Sequence, residues 1–135
     1  MPRVPGAVWL LVLSVGVSRG TQGAAPAAAD LETGDLVFQT SRSAQSVPIQ
    51  RATRSRWSHV GLVEVGPDGV FVLEAVSPVS RTPWERWVAR GERGEALALR
   101  LRGLAPAAAG RVIAEARRHL GKPYDAAFGW GDDRL

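Results

Sequence analysis

The run "WSHVGLVEVGPDGVFVLEA", Trp57 to Ala75, limits the fold more than any other part of this chain. Two segments rich in Val, Leu and Phe flank the turn sequence Gly66-Pro67-Asp68-Gly69. That pattern predicts an antiparallel hairpin, with strands Ser58 to Val65 and Val70 to Val76. With "GPDG" as a four-residue loop, Val65 faces Val70, His59 lies opposite Val76, and Glu74 lies opposite Gly61. Strand side chains alternate faces, so His59, Gly61, Glu74 and Val76 share one face. His59 and Glu74 become diagonal neighbours within reach of each other. Gly61 is expected to leave room for Glu74. Val60, Leu62, Leu73 and Ala75 take the other face, which is expected to be core.

A carboxylate that accepts one ring N–H of a histidine fixes its tautomer and leaves the other nitrogen as a base. It also favours the charged ring. A structural polar pair at a sheet end would give the same pattern. The hairpin residues alone leave both readings open, and a loop one residue longer or shorter would send Glu74 to the opposite face.

Around the hairpin, "LETGDLVFQT" places a turn at Gly34-Asp35 before a strand Leu36 to Gln39. "SAQSVPIQRATR" suits a short helix, with Ser46 near its cap and Pro48 in its first turn. "TPWERWVARG" reads as a helix capped by Thr82, with Pro83 first, Glu85 completing a capping box and Gly91 as the stop. "EALALRLR" alternates like a strand with one wet face. "APAAAGRVIAEARRHLG" predicts a longer helix, with Val112, Ile113, Ala116 and Leu120 on one side and Gly121 as its stop. Strands joined by hairpins and mixed with short helices favour an α+β domain on a mostly antiparallel sheet.

The first 29 residues look separate. Arg3 precedes an apolar run of 11 residues, Ala7 to Val17, and Ala27-Ala28-Ala29 before Asp30 suits a cleavage site. Residues 1–29 are therefore expected to be a signal peptide and residues 30–135 the domain, exported to the periplasm or cell envelope. An uncleaved anchor is the alternative, though the run is short for a membrane span. After cleavage no membrane span is expected. The chain holds no cysteine, which excludes thiolate metal sites, haem attachment and a lipid-modified cysteine. With two histidines, no metal or other cofactor is expected. Beyond residue 29, 15 basic residues face 13 acidic ones, so the net charge is +2 and no nucleic-acid partner is implied. One stretch, Leu36 to Val63, carries Arg42, Arg51, Arg54 and Arg56 without an acid. It reads as a solvated surface or as an attraction for an anionic substrate.

Three segments together, "GDLVFQTSRSAQSVPIQRATRSRWSHVGLVE", "VLEAVSPV" and "GKPYDAAFGWGDDRL", resemble the permuted papain-fold cysteine hydrolases of the NlpC-like superfamily, in particular the YiiX-like branch. The resemblance runs from Leu31 to Leu135. It implies a permuted papain-like fold, incomplete here, in which the histidine comes first, a polar residue follows on the next strand, and the cysteine comes last. His59 matches the base and Glu74 the residue that orients it. The family continues past a segment like "WGDDRL" with a Tyr-Cys-Ser-Glu element, and this sequence stops at Leu135. The expectation is an N-terminal fragment, with a complete but inactive relative as the alternative. The substrate implied is a cell-wall peptide amide or a lipid acyl ester. A non-catalytic envelope-binding module and a non-functional gene fragment are the alternatives. Nothing indicates oligomeric state.

Other residues carry weaker signals. Ser58 and Ser77 neighbour His59 and Val76 in their strands and so face away from the base, which argues against a serine nucleophile. His119 is read as a helix-end cation and Asp35 as ordering its turn. Trp57 and Tyr124 are candidates to line a substrate cleft. Trp84, Trp87 and Trp130 are read as core or groove walls, Asp125 as shaping a turn, and Asp132 and Asp133 as a solvated loop.

Overall fold

A computed structural model of the chain describes residues 23–124. Its elements follow the order β1 (Leu36–Gln39), α1 (Ser46–Thr53), β2 (His59–Gly66), β3 (Gly69–Glu74), β4 (Ser80–Pro83), α2 (Trp84–Arg90), β5 (Leu97–Leu99) and α3 (Pro106–Arg117). The strands form one antiparallel sheet in the order β4-β3-β2-β1-β5. The fold is α+β, as the alternation of strand and helix patterns predicts.

β1 spans the residues expected of it. The hairpin register is also as expected: Leu62 pairs with Leu73, Val63 with Val72 and Val65 with Val70. The ladder runs on to Gly66 and Gly69, so the turn is tighter than foreseen at unchanged register. α1 begins at Ser46, whose buried hydroxyl meets that of Ser58 at 2.6 Å. Ser58 Oγ also accepts from the Ser41 N–H at 2.8 Å, which staples the β1–α1 loop to the start of β2.

The core lies on the face opposite to the one expected. Val37, Val63 and Val72 are fully buried on the same face as His59 and Glu74. The paired tryptophans of α2, Trp84 and Trp87, join them in one buried cluster with Leu31 and Ala96. On the other face Val60 is 47% exposed, Ala75 is exposed and Leu62 is half-buried, while Leu73 is buried. Both faces of the hairpin carry apolar residues, so alternation cannot rank them. The large stacked indoles of α2 decide which face loses water. Gly61 serves Val72 rather than Glu74, because a Cβ there would run into Val72 Cγ1.

Two further expectations change. Thr82 does not cap α2; it belongs to the edge strand β4, and Pro83 occupies the cap position without a side-chain hydrogen bond, so no capping box forms. In α3 the buried residues are Ala109 and Ile113, while Val112 is exposed, and Leu120 is exposed beyond the helix, which ends at Arg117 rather than at Gly121. α3 is tied to the second face of the sheet, where Arg117 pairs with Glu64, which also accepts from Arg81 Nε at 2.5 Å.

The remaining anchors are polar. Asp35 is 2% exposed and accepts two hydrogen bonds from Arg100, each 2.8 Å, and one from the Glu32 N–H. It thus orders its turn, as expected, and also clamps it to the end of β5. Ala25 and Ala28, inside the stretch read as a leader, pack against the buried cluster and border a groove on α2 with Trp84, Val88 and Ala89. Among the described residues no helix is long and apolar enough to cross a membrane.

Candidate active site

His59 opens β2 and Glu74 closes β3, so both stand at one end of the sheet. Their diagonal placement brings His59 Nε2 to 2.6 Å from Glu74 Oε2. The Glu74 side chain is wholly buried, and that of His59 is 17% exposed. A buried carboxylate needs donors, and Glu74 has four. Thr82 Oγ1 donates to Oε1 at 2.6 Å. Trp87 Nε1 donates to Oε2 at 3.0 Å, and Arg90 Nη2 donates to the same oxygen.

These donors come from predictable places once the sheet is known. Thr82 pairs with Val72 across β3–β4, two residues diagonal from Glu74 and on the same face. Trp87 and Arg90 are three residues apart in α2 and so present to one side. Burial pushes the Glu74 carboxyl up, but hydrogen bonds from His59, Thr82 and Arg90, with the charge of Arg90, outweigh it and hold the group below its ordinary value. An ionised carboxylate only accepts, so His59 Nε2 carries the proton of the shared bond, and in the neutral ring the lone pair lies on Nδ1. The His59 ring stands 6.2 Å from that of Trp87, tilted by 31°.

Sequence reasoning placed His59 and Glu74 together and missed the three residues that hold Glu74. Thr82 looked like a helix cap and Trp87 like core or a groove wall; Arg90 carried no signal beyond its spacing from Trp87. Gln39, the cross-strand partner of His59, was also passed over; it is 1% exposed, and its side chain fills the space that Gly91 leaves open.

The other candidates fall elsewhere. Trp57 is half-buried beside the site, its ring under the Arg56 guanidinium at 4.6 Å. Tyr124 is half-buried, and among the described residues no hydrogen bond or ring contact joins it to His59. The chain leading to it returns to the sheet, where Val79 N donates to Lys122 O and Gly121 N donates to Val79 O, both at 2.9 Å. Val79 adjoins Ser80, the partner of Glu74, so this segment arrives at the His59 end of the sheet. Ser58 is committed to Ser41 and Ser46, and Ser77 lies beyond the end of β3. His119 follows the end of α3 and sits between Glu115 and Lys122. Asp125, Trp130, Asp132 and Asp133 lie outside the described residues. Arg42, Arg51, Arg54 and Arg56 are all exposed, but the fold brings Glu95 to Arg56, so the stretch is less basic than its sequence suggests.

The model of the permuted papain-like amidase family YaeF/YiiX, C92, matches residues 30–135. The chain belongs to this family. It is 44% identical over 104 residues to the uncharacterized protein YiiX of Escherichia coli K12, covering 76% of this chain and 52% of that protein. It therefore spans about half the length of the curated relative it matches. A crystal structure of the metalloprotein yiiX from Escherichia coli O157:H7 superposes with a TM-score of 0.72 at 45% identity, over 77% of this chain and 58% of that one. The YiiX family thus accounts for the sheet. A resident metal fits this chain's site poorly. Both oxygens of Glu74 are already engaged, and among the described residues no group of three or more His, Cys, Asp or Glu side chains converges.

Proposed function

We propose that this chain supplies the base half of an exported thiol hydrolase acting on an amide, in a cell-wall peptide, or on a lipid acyl ester. One observation carries the reading: Nε2 of His59 is fixed on buried Glu74, and among the described residues Nδ1 has no hydrogen-bond partner at the partly exposed end of the sheet. The 135 residues hold no cysteine, so the sulfur comes from outside them and the chain alone is inactive. His59 Nδ1 would take the thiol proton. The thiolate would add to the carbonyl carbon, and the C–N or C–O bond would break as His59 passes that proton to the leaving group. Water, deprotonated by the same nitrogen, would then cleave the thioester and return the thiol. Glu74 holds the ring throughout and stabilises the imidazolium between the two transfers.

The test joins the remaining half of YiiX, with the family's Tyr-Cys-Ser-Glu element, to the carboxyl end of this chain. The joined protein should hydrolyse acyl amides or esters, the 135-residue chain should not, and His59→Ala should abolish turnover. Turnover that survives His59→Ala, or none in the joined protein, would refute the reading. The missing cysteine favours a second reading, an envelope-binding module without catalysis. That module would bind cell-wall peptides equally well before and after His59→Ala.

A further inference from the structure

We infer that Arg90 is a positioning residue whose fixed charge balances Glu74, leaving His59 free to stand neutral as a base. The inference rests on reading His59 as the base. A carboxylate wholly out of water requires a counter-charge as well as hydrogen bonds. Three elements face Glu74. β2 brings His59, β4 brings the Thr82 hydroxyl, and α2 brings the Trp87 indole and Arg90. Thr82 and Trp87 are neutral. The balancing charge is therefore either a protonated His59 or the guanidinium of Arg90.

A guanidinium is charged at every working pH, whereas an imidazole is not. Arg90 meets the same oxygen as His59 and reaches it from the last residue of α2, with its side chain 46% exposed. It keeps its own hydration on one side and pairs with the buried anion on the other. With Arg90 in place, loss of the His59 proton does not strand an unpaired anion in the core. Without it, Glu74 would hold His59 in the charged form, which cannot accept a proton. The depressed carboxyl of Glu74 agrees with this arrangement.

Diethyl pyrocarbonate attacks the neutral imidazole, and peptide mass mapping separates the two histidines of the 135-residue chain. Arg90→Gln should slow modification of His59 at pH 7 by about fivefold or more. His119 should keep its rate, and Arg90→Lys should restore that of His59. An unchanged His59 rate in folded Arg90→Gln overturns the inference. If Arg90→Gln unfolds, both histidines react faster, and the decision passes to a background without the buried charge. There, Glu74→Gln should leave the His59 rate within about twofold of that in the unaltered chain, because Arg90 and not a protonated His59 balances the carboxylate. A threefold or larger rise would show that His59 carries the balancing charge and would overturn the inference. Neither measurement depends on hydrolysis, so failure of the joined protein to turn over substrate leaves this result standing.

Discussion

His59 and Glu74 are fifteen residues apart in the chain, yet Nε2 and Oε2 lie 2.6 Å from each other across the diagonal of a single hairpin. Their contact is local in topology, since it needs only β2, β3 and a tight turn. The environment that makes it useful is not local, because three other side chains complete the carboxylate.

Glu74 couples that environment to pH. Its carboxyl lies below the ordinary 4.5 despite burial, because His59, Thr82 and Arg90 donate to it. A depressed folded value means that the stabilisation is fully present above about pH 4.5 and is lost as pH falls through the folded value. Glu74→Gln should cost about 1.5–3 kcal/mol at pH 7, the worth of hydrogen bonds to a charged group. It should also flatten the acid limb of stability below pH 4.5. Urea midpoints from pH 2 to 7 measure both, and parallel curves for the two proteins would contradict the assignment.

Gly61 is required by packing. A methyl group there meets Val72 Cγ1, a fully buried neighbour. Gly61→Ala should destabilise by about 1–3 kcal/mol. Val72→Ala removes the colliding atom, so the double variant should be more stable than the sum of the single losses by at least about 0.5 kcal/mol. Additive losses in denaturant titrations would show that Val72 is not the obstacle.

The segment before Asp30 contributes to the fold. Ala25 and Ala28 pack on the cluster that contains Trp84 and Trp87. A chain beginning at Asp30 should be less stable than one beginning at Gly23 by about 1 kcal/mol, the scale of a buried methylene or two. Thermal melts of the two chains decide it, and equal melting temperatures would mean that the segment is an ornament.

Much of the fold was readable because its signals are short-ranged. β1, the hairpin register and α1 follow from alternation, the "GPDG" turn and a proline in a first turn. β4 was not readable. "SRTP" carries no alternation, and as an edge strand it exists only because β3 offers unpaired backbone groups to Ser80–Pro83. Thr82 was misread for the same reason: a Thr-Pro pair before a helical pattern signals a cap, but pairing with β3 turned that hydroxyl toward Glu74 instead.

The chain by itself determined that a histidine and a glutamate would share a face of one hairpin, because strand period and turn length are local properties. Only the tertiary structure decided that this face would be the buried one. Both faces are apolar enough to be core, and the choice belongs to the stacked Trp84 and Trp87 of α2, ten and thirteen residues beyond the hairpin. That choice also put Glu74 out of water and so created the need that Thr82, Trp87 and Arg90 meet, since a charge has to be compensated only where solvent is excluded.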